Sequence, residues 1–264
     1  MCRLLGVVSA VPISVADAVG TGVLKDFVAL TKIHGDGWGV AHVDHQAQNP
    51  RVEVSAGSAL DDPAFTAATD RRSVASLVHL RWATSGLAVQ PQNSHPFIED
   101  RIAMAHNGSI KPTEPLDELL DPGIAASLRG TTDSERYFGV IRQHRRTAPD
   151  LAEAVRRAVA QLRQLYPAAS LNALLLGEEQ LVAVHAAASS QLVAEDIAEI
   201  TAADLPSEHL EDYFGLRWAR PDDATVVIGS TGFGDLGWQP LPPESVTTIS
   251  LRDLSMTSLP VVAG

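Results

Sequence analysis

The hydrophobic positions of this chain fall into short uninterrupted runs more often than into alternating ones. The first run begins almost at once. After Met1, Cys2 and Arg3 comes Leu4-Leu5-Gly6-Val7-Val8, which predicts a short buried strand. Residues 14–32 fit a helix with Ser14 at its N-cap. His34-Gly35-Asp36-Gly37-Trp38-Gly39 makes a turn, and Val40 to Val43 starts another strand. Further strands are predicted over 51–56, 73–80 and 101–106. The clearest helix covers 149–166, where Leu151, Val155, Val159, Leu162 and Tyr166 recur at helical spacing with charges between them. Strands at about 171–176 and 181–186 follow, with Gly177-Glu178-Glu179 as a hairpin loop, and strands near 224–229 and 245–251 finish the pattern. The stretch 187–223 is acidic and irregular, with Pro206 and Pro221. Strands resume after it, so it reads as an excursion from a single domain spanning 1–264. Strands in neighbouring pairs, with helices in clusters, predict an α+β fold with antiparallel sheets and not a doubly wound one.

Composition narrows the picture. The 264 residues are 45% hydrophobic but only 5% aromatic, so the chain can bury a core built mostly of Ala, Val, Leu and Ile. A formal net charge of −12 argues against a broad surface for nucleic acid or anionic lipid. No run approaches the ~18 apolar residues of a membrane helix, and no secretory signal is visible. A single cysteine cannot form an internal disulfide, which fits a reducing cytoplasm.

Four places carry candidate chemistry. Cys2 is the sole cysteine and stands second. A lone cysteine is usually a small buried hydrophobe; removal of Met1 would give this one a free α-amine, whose ordinary pKa of ~7.7–8.0 suits it to take the thiol's proton. Arg81 opens Arg81-Trp82-Ala83-Thr84-Ser85-Gly86 at the end of an apolar strand, where a guanidinium can grip a carboxylate by two parallel hydrogen bonds; a surface ion pair is the alternative. His106-Asn107-Gly108 also follows an apolar strand. As Asn-Gly it is a turn signal, and as a site element it offers an amide and a backbone N–H to an oxyanion. Asp133, in Thr131-Thr132-Asp133-Ser134-Glu135, stands where a helix cap is the simpler reading. Histidine spacing suggests no metal site, no P-loop occurs, and Gly232, Gly234 and Gly237 match a dinucleotide fingerprint only until Trp238-Gln239-Pro240 forbids the helix it needs.

Taken together, Cys2, Gly35-Asp36-Gly37-Trp38-Gly39, Arg81-Trp82-Ala83-Thr84, Asn93-Ser94-His95-Pro96-Phe97, His106-Asn107-Gly108 and Thr132-Asp133-Ser134-Glu135 resemble, in order and spacing, the class II glutamine amidotransferases. The resemblance spans residues 2–135. It implies a four-layer α/β/β/α sandwich of two antiparallel sheets and hydrolysis of a γ-amide through a γ-glutamyl thioester. In its terms Cys2 is the nucleophile, and Asn107 and Gly108 form the oxyanion hole. Arg81, Thr84, His106 and Asp133 contact substrate, with Arg81 on its α-carboxylate and Asp133 on its α-ammonium. No cofactor or metal is implied, and the partner is a small γ-glutamyl substrate, with a separate synthase as a further option. Two departures stand out. Ser85 replaces the family's usual His, and Ser230-Thr231-Gly232-Phe233 replaces the Ser-Glu-Pro-Leu of stand-alone relatives, a segment expected to bear on the substrate's distal side. Three functions remain: a free-standing hydrolase of γ-glutamyl amides similar to those of the ergothioneine pathway, a glutaminase feeding ammonia to a synthase, and a non-catalytic glutamyl-binding domain.

Overall fold

The computed structural model describes residues 2–44, 49–83, 89–206 and 208–261; Thr84 and Ser85 lie outside them. Strand β1 (Cys2–Ile13) is followed by helices α1 (Val15–Val19) and α2 (Thr21–Ala29). The single helix predicted over 14–32 is thus divided. Ser14 caps α1, its Oγ accepting from Asp17 N, but Gly20 at φ 83° ends it. Then come β2 (Trp38–Val43), β3 (Arg51–Ser55), α3 (Pro63–Asp70), β4 (Ser73–Arg81), β5 (Phe97–Glu99) and β6 (Ile102–Asn107). Helices α4 (Glu114–Leu119), α5 (Pro122–Ala125), α6 (Asp133–Arg145) and α7 (Leu151–Leu165) precede the hairpin of β7 (Asn172–Gly177) and β8 (Gln180–His185). The chain continues through α8 (Ala194–Ala202), α9 (Glu208–Glu211), β9 (Leu216–Asp222), β10 (Thr225–Ser230), β11 (Gln239–Pro240), β12 (Ser245–Ser250) and β13 (Met256–Pro260).

The strands form two antiparallel sheets, one in the order β11-β9-β10-β1-β4-β2-β3 and the other β13-β12-β8-β7-β6-β5. Leu4, Val8, Ala41 and Leu77 of the first meet Ala103, Ala105, Leu174 and Leu181 of the second in one apolar layer. On the outer face of the first sheet, Leu5, Val7, Val40 and Val78 pack under α1, α2 and α3. On the outer face of the second, Met104, Leu175 and Val182 pack under α6 and α7. This is the expected α/β/β/α order. It also explains the sequence pattern: β1, β4, β6 and β7 are buried on both faces, so they read as continuous apolar runs although their sheets are antiparallel. Each fully buried Leu or Val contributes roughly 1.5–3 kcal/mol.

The acidic 187–223 excursion is more ordered than its composition predicts. It holds α8, α9 and all of β9. Ile200 and Tyr213 pack with Ile33 and Trp82, which brings the segment onto the end of the sandwich where β1 carries Cys2 and β4 carries Arg81.

Candidate active site

Two strand ends make the centre of the site. In the antiparallel ladder of β1 and β4, Cys2 lies opposite Arg81. The second sheet supplies Asn107 at the end of β6, and Cys2 N donates to Asn107 Oδ1 at 2.9 Å. One hydrogen bond thus joins the two sheets at Cys2. Asn107 O accepts from Ser170 Oγ at 2.7 Å, which fixes the turn into Gly108. A Cβ at Gly108 would collide with the Ser170 carbonyl and come within 2.6 Å of His106 Nε2, so only glycine lets the chain pass there.

Arg81 is 4% exposed and is held by the turn before β2. Its N–H donates to Gly37 O at 2.8 Å, and its carbonyl accepts from Asp36 N at 3.0 Å. The Asp36 carboxylate accepts from Ala83 N at 2.8 Å, and Arg81 Nη1 reaches Asp36 O at 3.3 Å. Asp36, to which the sequence assigns no role beyond its turn and motif, therefore clamps the strand end that presents Arg81.

Asp133 is not the helix cap. That place belongs to Thr132, whose Oγ1 accepts from Glu135 N at 3.1 Å. Asp133 occupies the first turn of α6, 8% exposed; its Oδ2 accepts from Ile110 N at 2.5 Å and its Oδ1 from Ser134 N at 2.9 Å. Glu135 grips the approach to the helix, accepting from Arg129 N and Gly130 N at 2.8 Å each. Asn93 does the same from another loop through Thr131 N at 3.0 Å. Cys2, Arg81, Trp82, Asn93, His95, Gly108 and Asp133 together border a cavity of about 20 Å³.

His106 faces the other way. It is 1% exposed, with Nε2 2.9 Å from Ser170 O and Nδ1 2.9 Å from Ser134 Oγ. A carbonyl only accepts, so Nε2 carries the proton and Nδ1 accepts from the Ser134 hydroxyl. Burial holds the ring's pKa below the usual histidine value, in keeping with this neutral form. Both nitrogens are thus engaged within the protein, and His106 ties β6 to α6 and the Ser170 turn.

Histidine spacing suggests no metal site, yet the fold brings Cys2, His79 and His95 together with one ligating atom each, all within 4.8 Å of one another. They come from β1, β4 and the segment before β5, a convergence that spacing along the chain cannot reveal. Ser230-Thr231-Gly232-Phe233 also differs from expectation. Ser230 and Thr231 are fully buried; Ser230 Oγ accepts from Leu4 N at 3.1 Å, and Thr231 Oγ1 donates to Asp212 O at 2.5 Å. The segment supports β1 and the α9 region from inside and does not line the site.

A larger cleft of about 560 Å³ adjoins the catalytic end through Trp82 and Ala83, bounded by Lys111, Phe214 and the α8 acids Glu195, Asp196 and Glu199. Beneath it the excursion is anchored by Arg3. This fully buried residue donates from Nη1 to Tyr213 O at 3.0 Å, and its guanidinium carbon sits 3.7 Å from the centre of the Tyr213 ring. His34 and His209 meet beside it, Nε2 to Nε2, at 3.2 Å.

Comparison with known proteins places this geometry. Residues 1–258 match the family described as glutamine amidotransferases class-II. A glutamine–fructose-6-phosphate aminotransferase of Acidithiobacillus ferridurans is 36% identical over 124 residues, covering 46% of this chain and 20% of that protein. The Pseudomonas aeruginosa enzyme of the same name is 29% identical over 176 residues, 66% of this chain and 27% of its own. The chain spans about a fifth to a quarter of the length of these relatives. Among solved structures, a glutamine aminotransferase class-II domain protein from Silicibacter pomeroyi aligns over 98% of this chain and 100% of its own, with a TM-score of 0.63 at 20% identity. Glutamine phosphoribosylpyrophosphate amidotransferase from B. subtilis aligns over 100% of this chain and 50% of its own, with a TM-score of 0.64 at 12% identity; both share the fold. The chain belongs to the class II glutamine amidotransferases, a family that hydrolyses the side-chain amide of glutamine.

Proposed function

We propose that this chain is a single-domain cysteine amidohydrolase that cleaves the γ-amide of glutamine or of a γ-glutamyl compound. The observation that carries the reading is the 2.9 Å contact from Cys2 N to Asn107 Oδ1. Once Met1 is removed, that nitrogen is the α-amine. Held by Asn107, it is placed to take the thiol's proton as Sγ attacks the γ-carbonyl carbon. With Oδ1 engaged by that contact, the Asn107 Nδ2 group would be the donor that, with Gly108 N, stabilises the oxyanion. Collapse expels the amine, which leaves with the proton, and water then hydrolyses the thioester to release glutamate and restore the thiol. Arg81 would bind the α-carboxylate and Asp133 the α-ammonium. His106, with both nitrogens occupied, would position Gly108 and α6.

The cleft of about 560 Å³ beside Trp82 and Ala83 supports a leaving group larger than ammonia, and so a free-standing hydrolase of γ-glutamyl amides. The second reading, ammonia delivery to a synthase, is favoured by the curated relatives, in which the matching segment is a minor part of a longer chain. The test is purified protein, shown by intact mass to lack Met1, incubated with glutamine and with γ-glutamyl peptides. Turnover of the peptides without a partner supports the first reading; ammonia release only in the presence of a synthase supports the second. Cys2→Ala should abolish turnover with the fold retained, and turnover near wild type in that variant would refute the nucleophile assignment.

A further inference from the structure

The grouping of Cys2 with His79 and His95 is not used by the hydrolysis just described. His79 lies on the interior strand β4 and is fully buried; His95 is 4% and Cys2 6% exposed. The two imidazoles already face one another, His79 Nε2 and His95 Nδ1 being 2.9 Å apart. Since His106 N also points at His95 Nδ1, at 3.4 Å, that atom is the acceptor and His79 Nε2 the donor. His79 Nδ1 is then an unprotonated nitrogen, buried without a hydrogen-bond partner. We propose that Cys2, His79 and His95 form a binding site for a thiophilic divalent cation, with Zn²⁺ as the type, and that an ion bound there holds the enzyme inactive.

The donor set supports this choice. One thiolate and two neutral imidazoles match Zn²⁺ and Co²⁺, whereas Mg²⁺ and Ca²⁺ require oxygen ligands. A tetrahedral zinc with bonds of ~2.3 Å to sulfur and ~2.0–2.1 Å to nitrogen places its ligand atoms roughly 3.3–3.6 Å apart. The present separations, all within 4.8 Å, are about an ångström from that arrangement. The cavity of about 20 Å³ touching Cys2 and His95 has room for one ion or water and leaves a fourth position facing the substrate side. Binding would displace the thiol proton to solvent and move the His79 proton from Nε2 to the partnerless Nδ1, exchanging the His79–His95 hydrogen bond for coordination to the ion. The lone pair needed for attack would then be committed to the metal. The binding claim is independent of the proposed hydrolysis; the inhibition claim rests on Cys2 being its nucleophile.

The experiment uses the full chain, freed of metal by chelation, and Co²⁺ as a visible probe under anaerobic conditions. The expected result is one Co²⁺ per chain, with a thiolate-to-cobalt charge-transfer band and the strong d–d absorption of a tetrahedral site. Zn²⁺ should bleach both and Mg²⁺ neither. Cys2→Ala should lose the charge-transfer band, and His79→Gln with His95→Gln should weaken binding at least about 100-fold. No charge-transfer band in the wild type, or one that survives the double histidine substitution at full affinity, overturns the proposal. Should the double variant not fold, X-ray absorption at the zinc edge of the wild-type 1:1 complex decides: one sulfur with at least two imidazole nitrogens is expected, and a shell without sulfur or without imidazole refutes the site. Stoichiometric Zn²⁺ should also abolish glutamine hydrolysis, with recovery on chelation; continued turnover with zinc bound refutes the inhibition claim. A protein that binds Co²⁺ as described but never hydrolyses glutamine keeps the metal site and loses the nucleophile.

Discussion

At the scale of single residues the site is built by side chains that each fasten backbone. Asn107 holds the Cys2 nitrogen, Asp36 holds Ala83, and Glu135 holds Arg129 and Gly130. Replacing Asn107 by Ala should therefore lower kcat by roughly 10²–10³, the usual effect of losing one oxyanion donor, with a smaller change in KM. A rise in KM alone, in steady-state assays with glutamine, would make Asn107 a positioning residue only. Arg81→Lys keeps the charge but loses the two-pronged grip, so KM for glutamine should rise. Glutamine amidated at its α-carboxylate should be a poor substrate of the wild type; equal kcat/KM for blocked and free glutamine would remove Arg81 from substrate binding. The chemistry-bearing residues were legible because they sit in short motifs. The supporting roles were not: Asp36, Ser134 and His95 lie within those motifs, but they act, like Ser170 and His79 outside them, through backbone groups or contacts distant in sequence, and residue type alone says nothing of either.

At the scale of elements, the strands buried on both faces announced themselves as apolar runs, and α7 as a helical period. The rest had weaker signals. Strand β13 lies at a sheet edge with mostly exposed side chains, so its sequence carries no hydrophobic pattern. Strand β9 contains Pro221 where its pairing with β10 shifts register, a place where a sheet tolerates the missing N–H. Two hairpins, one of them the loop over Gly177-Glu178-Glu179 that the sequence predicts, turn on residues that seldom adopt positive φ. Asp100 and Arg101 adopt φ of 50° and 64°, and Glu178 and Glu179 adopt 51° and 59°, where Asn-Gly or Asp-Gly is the favoured chemistry. Arg101→Gly would create that Asp-Gly pair. We expect a stability gain of about 0.5–1 kcal/mol and a rise of roughly 1–4 °C in Tm, measured by thermal unfolding. A lower Tm would show that Arg101 contributes more through its side chain than its backbone costs.

For the molecule as a whole, buried histidines make the fold acid-sensitive. Burial lowers the pKa of His79, His95 and His106, and that of His209 to about 3, against ~6.5 in the unfolded chain. Above pH 6.5 neither state holds these protons. Below it the unfolded chain takes them up while the folded one refuses, so stability falls with pH. The slope approaches about 1.4 kcal/mol per pH unit for each group until its folded pKa is reached. Tm should thus be nearly flat above pH 7 and drop steeply from 6.5 toward 5. A Tm unchanged across that range would mean that the histidines are protonated within the fold.

Strand β1, which carries Cys2, pairs with two strands that lie far apart in the chain. One flank of β1 pairs with β4, but the other waits for β10, residues Thr225–Ser230. At roughly 5–20 residues per second, ribosomal synthesis leaves that flank unmatched for roughly 10–50 s. Cys2 is 6% exposed once the ladder closes. The topology thus leaves the strand that carries Cys2 open along one side while the chain grows, and on the proposed mechanism that is the interval in which excision of Met1 would free the α-amine.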